Sequence, residues 1–308
     1  MDSFNDNEYT ILIGNLLHDT QYIEVSNMGK MAGLRKHAEV MVRKILNIGS
    51  SKPLMLGQIK KQSNNPAVKS GMDCLGDELS DRLISIVGKI NPPGRDGTHT
   101  QHTDDFSDAE VEYVQDAIFD LYALIFIKYF LDIQVSIYSA PQILREFSIL
   151  PPIIRYKTWK FLYEKDKNNI QVVDRLCLSI IKLFDKPTAY KWLEDNRIAI
   201  KNIPYPTKSE VEKYDRINTV EVAPGKYGVI VTLNFDQYSN MYDLLYSKIN
   251  DDRTSINESG KMYRSFEDAI VHYRKYKSSI AQNGSEEIEK LHSLMDFVYL
   301  GRKSKNEI

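Results

Sequence analysis

The sequence predicts a mainly α-helical protein in three parts. These are an N-terminal antiparallel helical bundle (residues 1–138), a small helical module (139–201) and a C-terminal α+β module (208–308). Three observations carry this. Apolar residues recur at helical spacing through most of the first 200 residues. Proline, glycine and capping residues punctuate those runs. Beyond Thr207 the period switches once to the alternation of strands.

In the bundle, Met31 to Asn47 sets Leu34, Ala38, Met41, Val42, Ile45 and Leu46 on one face, as an amphipathic helix requires. Arg35, Glu39 and Arg43 follow at i, i+4 on a neighbouring stripe, which taken alone reads as a solvated charge ladder. Lys61 to Met72 is polar, with Asn64-Asn65-Pro66 and Gly71, and reads as a loop or helix break. A helix is expected over Leu75 to Ile90, closed by Asn91-Pro92-Pro93-Gly94. The next, to Asp132, opens with Ser107 and Glu110, the capping-box pair. Its run from Ala117 to Leu131 is the most apolar of the chain, but Asp120 and Lys128 interrupt it and it is too short to cross a bilayer.

Ser139-Ala140-Pro141 marks a boundary, and Gln142 to Ile200 is again helical, with corners at Leu150-Pro151-Pro152 and Lys186-Pro187. Trp159, Phe161, Leu176, Ile180, Phe184 and Trp192 are among its expected core. After the linker Asn202 to Thr207, Asn218–Ala223 and Tyr227–Phe235 read as a hairpin around Pro224-Gly225-Lys226. Helices follow at Gln237–Lys248, at Phe266–Tyr276 capped by Ser265, and at Glu286–Tyr299. The polar residues Gly301 to Ile308 are expected to fray. Basic and aromatic residues alternate in the last part: Arg264, Tyr273, Arg274, Lys275 and Tyr276. They fit either a single-stranded nucleic-acid surface or an amphipathic helix with snorkelling cations.

The net charge of −2 gives no global polybasic signal, so a tight non-specific DNA binder is not expected. Cys74 and Cys177 are far apart and lack metal-type spacing, which fits reduced thiols in a cytoplasmic protein. The N-terminus shows no signal-peptide pattern, and no membrane role is expected. The chain has no Walker A loop, no Rossmann glycine fingerprint, no His-Glu-x-x-His, no paired Cys-x-x-Cys and no Gly-x-Ser-x-Gly elbow. No cofactor is expected.

The stretch Arg95-Asp96-Gly97-Thr98-His99-Thr100-Gln101-His102, read as a polar loop between two long helices, is the part that suggests chemistry. Three readings compete. In a metal-independent ribonuclease, histidine would move protons near neutrality. Arginine would hold the phosphate with its planar fork and stabilise developing charge. In a metal site, His99, His102, Asp104 and Asp105 would supply mixed ligands, though no matching cluster lies elsewhere and no metal is expected. In the plainest reading these are ordinary loop residues, with Arg95 paired to Glu39 or Glu78.

Two further segments favour the first. Gly33-Leu34-Arg35-Lys36-His37-Ala38-Glu39 resembles the "LR-x-x-x-E" helix of the HEPN clan, whose bundles carry an Arg-polar-x-His motif before the last long helix. Here Asp96 follows Arg95, and His102 comes after six intervening residues. Gly97 to His102 also resembles the "GN-x-x-x-H" segment of a HEPN branch found in bacterial defence loci, with Thr98 in place of the Asn. The resemblance covers roughly residues 1–135. It implies a homodimeric, metal-independent endoribonuclease of a prokaryotic defence or toxin system, leaving a 2′,3′-cyclic phosphate. Arg95 would bind the scissile phosphate, His102 would be the acid/base and Asp96 would orient them. Glu39 and Thr98 would support them, and His99 would be a spare acid/base or a substrate contact. Asp104 stands where nucleotidylated HEPN toxins have a tyrosine, so that mode of silencing is not expected. Arg35, Arg264, Arg274 and Lys275 are the expected RNA-binding cations. A regulatory partner protein would deliver RNA or restrain the activity. The alternative class is a non-catalytic HEPN dimerisation or binding module.

Overall fold

The computed structural model describes residues 3–96, 104–223, 226–229, 233–255, 264–279 and 285–308. Among the described residues it is mainly α, as the sequence predicts. In chain order the helices are α1 (Asp6–Leu17), extended by a π-helical turn over His18–Tyr22, α2 (Asn27–Leu46), α3 (Pro66–Leu75), α4 (Asp77–Asp96) and α5 (Asp108–Asp132). Then come α6 (Pro141–Phe147), α7 (Pro152–Lys165), α8 (Ile170–Leu183), α9 (Lys186–Asp195), α10 (Arg197–Lys201) and α11 (Lys208–Ile217). The antiparallel hairpin β1 (Thr219–Ala223) and β2 (Lys226–Val229) precedes α12 (Met241–Asn250), α13 (Phe266–Ser279) and α14 (Glu286–Tyr299).

Local chemistry sets most of these starts. Ser107 and Glu110 exchange hydrogen bonds at the head of α5, as do Thr207 and Glu210 at α11. Asn5, Ser26, Asn169, Asp185 and Asn240 accept from backbone N–H groups one or two residues inside their helices. The helix start at Pro66 overturns the expected loop over Lys61–Met72. Asn65 caps Ala67 and Val68, and Pro66 occupies the first turn, where its missing N–H costs nothing.

Two compact units emerge, Met1–Lys128 with His292–Ile308, and Tyr129–Leu291. The sequence-based boundaries at 138/139 and 201/208 both fall inside the second unit. In the first unit, α2 packs against α1, α3 and α4. Met31, Leu34, Met41, Leu83, Ile90 and Leu121 are fully buried there. Close approach is set by glycine. A Cβ on Gly71 would lie 2.7 Å from both the Cβ and the carbonyl oxygen of Leu46. Gly71→Ala must therefore push α3 off α2, and a loss of about 2–3 kcal/mol is expected by urea unfolding. Gly88→Ala, with open space at its Cβ, should instead gain up to about 1 kcal/mol.

The tail after α14 is fixed, contrary to the fraying expected of its polar composition. Gly301 takes φ +72° and sits against Gly14 of α1, where a Cβ would come within 2.9 Å of the backbone. Arg302 and Ser304 are buried, and the Lys303 N–H donates to the Tyr22 hydroxyl at 3.1 Å. Phe297 of α14 meets Phe4 edge-on, with Lys44 over its ring.

In the second unit, α7 and α8 pack along one another, and α9 and α12 lie against α8. Phe130, Phe147 and Trp159 form an aromatic cluster with centroids 4.5–5.2 Å apart. Phe184 is exposed and Trp192 half-buried, so neither belongs to the fully buried core expected of them. Beyond β2 the expected strand does not reach Phe235. Leu233 and Phe235 are buried outside any strand, against Tyr214 of α11, whose hydroxyl accepts from the Leu233 N–H.

Candidate active site

The prolines at the end of α4 do not stop it. The helix continues through Pro92 and Pro93 to Asp96, so Arg95 and Asp96 belong to its last turn and not to a loop. Each proline removes one intrahelical donor. Packing of this end against α2 compensates: Gly94 is buried, and its Cβ position would lie 2.5 Å from the Cβ of Arg35 and 2.9 Å from its Cδ. The alkyl chain of Arg35 therefore runs across Gly94, and its Nε donates to Asn91 Oδ1 at 3.4 Å. Three expected site residues thus share one helix end: Arg35 from α2, with Arg95 and Asp96 from α4.

Arg95 is 59% exposed, and its Nε lies 3.4 Å from Asp96 Oδ1. Of its expected alternative partners, Glu39 is placed otherwise. Glu39, one turn after Arg35, is half-buried with Arg43 at 4.0 Å. Burial raises the Glu39 carboxyl pKa, and the charges of Arg43, Arg35 and Lys36 offset part of that rise. Arg43 is 8% exposed and donates to the carbonyls of Gly49 and Lys52 at 2.9 and 3.0 Å. The Arg35–Glu39–Arg43 stripe is accordingly a packed seam and not a solvated ladder.

Thr98, His99 and His102 lie outside the described residues. Where the chain resumes, Asp105 caps α2: its carboxylate accepts from the N–H groups of Met28 (2.6 Å) and Asn27 (3.3 Å). Asn27 donates in turn to the Phe106 carbonyl and to Asp108, tying the head of α5 to the head of α2. That duty takes Asp105 from the four-ligand metal reading. Among the described residues no group of three or more His, Cys, Asp or Glu could hold a metal ion.

His37, inside the motif-bearing segment of α2, was not singled out by sequence. It is buried, with Nε2 3.0 Å from the Tyr122 hydroxyl, which also lies 3.1 Å from the Arg302 guanidinium. With Arg302 donating to the Tyr122 oxygen and His37 neutral, the tyrosine O–H is assigned as donor to His37 Nε2 and the imidazole proton to Nδ1. Burial first, and then the Arg302 charge, pushes His37 down to about 3. The only sequence signal is its place between Leu34 and Met41 on the apolar face.

The remaining expected RNA contacts, Arg264, Arg274 and Lys275, are exposed at and just before α13. The aromatics among them are not available for stacking bases. Tyr273 is buried, and Tyr276 lies under the Arg145 guanidinium, with its centroid 5.6 Å away. α13 is thus an amphipathic helix with cations on its outer face. No family model, curated protein or solved structure matches this chain. Among the described residues no helix is long and apolar enough to cross a membrane.

Proposed function

We propose that this protein is a HEPN-type, metal-independent endoribonuclease, acting as a homodimer in a prokaryotic defence or toxin system. One observation carries the reading. The Arg95-Asp96 pair ends α4 directly against the α2 helix that bears Arg35 and Glu39, and the Ser107-capped α5 follows. His102 stands three residues before Asp105, which is anchored on α2.

In this reading the exposed Arg95 fork takes the non-bridging oxygens of the scissile phosphate. A histidine, His102 with its dimer mate, removes the 2′-hydroxyl proton as that oxygen attacks phosphorus. The bond to the 5′-oxygen breaks, and that oxygen takes a proton from the conjugate acid. The products are a 2′,3′-cyclic phosphate and a free 5′-hydroxyl. Asp96 and Arg35 would hold Arg95 in register, and Glu39 would support Arg35 from the same helix. The hairpin and the helices after residue 208 would form an α+β module presenting Arg264, Arg274 and Lys275 to RNA. A partner protein would regulate the activity.

The test is incubation of the purified chain with total RNA in EDTA, with the ends of the fragments identified. Cyclic-phosphate ends support the nuclease. Intact RNA together with a stable dimer would instead favour the non-catalytic binding module.

A further inference from the structure

The second unit carries a cluster of cations that the nuclease reading does not use. Arg155 of α7 and Arg175 and Lys182 of α8 line one cavity, backed by Trp159 and Phe147. Arg155 is only 5% exposed, and the Arg175 side chain 17%. Burial first, then the charges of Arg155 and Arg175, brings Lys182 down to about 7. Like charges this close cost free energy unless an anion meets them.

Two buried carboxylates, Asp174 and Glu146, answer part of this charge. Asp174 is fully buried, bonded to Lys248 and 3.7 Å from Arg175. Glu146 is fully buried on α6. Set against the four cations Arg155, Arg175, Lys182 and Lys248, these two carboxylates leave an excess of one to two positive charges, since Lys182 is about half charged at neutral pH. Ser148 and Ser179 also line the cavity, but their hydroxyl protons go to the carbonyls of Arg145 (2.6 Å) and Arg175 (2.8 Å). The rest of the polar lining is the side chains of Arg155, Arg175 and Lys182.

Size and charge narrow the ligand. The cavity offers about 20 Å³ to the centre of a water molecule, room for one compact group and not for a base or sugar. A carboxylate would bring a single charge. A phosphate monoester carries about −1.5 to −2 at neutral pH and three strong acceptor oxygens, which matches the excess and the number of lining cations. We infer that the Arg155/Arg175/Lys182 cavity is a binding site for a terminal phosphate group, either free phosphate or the phosphate of a small molecule such as a nucleoside monophosphate. The low-dielectric aromatic wall strengthens each charge-assisted bond.

The site is tested by calorimetric titration of the full chain with inorganic phosphate, with uridine 5′-monophosphate, and with uridine, which has no phosphate. Saturable binding of phosphate or of the monophosphate is expected, and whichever binds more tightly names the source. Arg175→Gln and Lys182→Gln should each weaken that binding by about tenfold or more. Both side chains are part-exposed, so the variants should fold, and circular dichroism checks this. Phosphate should also raise the melting temperature of the wild type and not of the double variant. Failure of the wild type to bind either phosphate compound, binding unchanged in the folded variants, or binding of uridine as tight as that of its monophosphate would each overturn the inference. None of these outcomes depends on nuclease activity.

Discussion

Replacing His102 with alanine is expected to slow RNA cleavage in EDTA by two to four orders of magnitude while leaving the melting temperature unchanged. A positioned general acid or base contributes about 10²–10⁴-fold, and in the proposed dimer one substitution removes both copies. Arg95→Ala should cost about 10²–10³-fold, the size of losing one preorganised donor to a developing oxyanion. Arg95→Lys should fall between, because it keeps the charge and loses the planar fork. Neither change at Arg95 should unfold the chain, since that side chain is 59% exposed. The informative contrast is Asp105→Ala. Asp105 caps α2 through the N–H groups of Asn27 and Met28, so its loss should lower stability by about 1 kcal/mol. His99→Ala decides the remaining ambiguity of the segment, since a spare acid/base can be lost with little effect and a substrate contact cannot. Full activity of His102→Ala, or wild-type cleavage that stops in EDTA, would end the proposal.

Where the sequence could be read, the signal was local. Ser107 with Glu110, and Ser265 with Asp268, each form the expected cap, because a cap involves only neighbours along the chain. The misreadings at the end of α4 and in the C-terminal tail trace to contacts distant in sequence. Pro92-Pro93 should end a helix by local rule, at a cost of about 3 kcal/mol or more. Arg35 lying across Gly94 holds the last turn in place regardless. The polar tail has no local reason for order, yet Tyr22, Tyr122 and Gly14 pin it from positions some 180 to 290 residues earlier. Pro66 was a different failure. The signal was local and present, but the polar composition around it outweighed the Asn-Pro start. Of the candidate site, the sequence located Arg95 and Asp96 and mistook their setting, the final turn of a helix, for a loop. The phosphate cavity was invisible for another reason. Its cations are scattered over residues 155 to 182, and only the packing of α7 on α8 gathers them.

The other large effect expected is an acid-sensitive fold controlled by His37. In the folded chain this imidazole stays neutral down to about pH 3, whereas in the unfolded chain it protonates near 6.5. The unfolded state therefore binds more protons throughout that interval, and stability must rise with pH across it. The contribution is complete above about pH 6.5 and is lost as pH falls from there toward 3. The loss is about 1.4 kcal/mol per pH unit once the unfolded histidine is charged, or roughly 2 kcal/mol between pH 7.5 and pH 5. Geometry accounts for the direction. Nε2 already accepts the Tyr122 proton, and Tyr122 is held in turn by Arg302, so protonation would place two donors face to face beside a buried guanidinium. His37→Gln tests this without emptying the site, because its amide oxygen can accept from Tyr122 and it does not titrate. At pH 7.5 the variant should lose about 1–2 kcal/mol through imperfect packing. Its urea-unfolding free energy should then decline less steeply with acid than the wild type's, so the two curves converge toward pH 5. Other carboxylates titrate in both proteins and cancel in the difference. Parallel curves would show that His37 titrates alike in the folded and unfolded chains, so that the fold does not hold its imidazole neutral in acid.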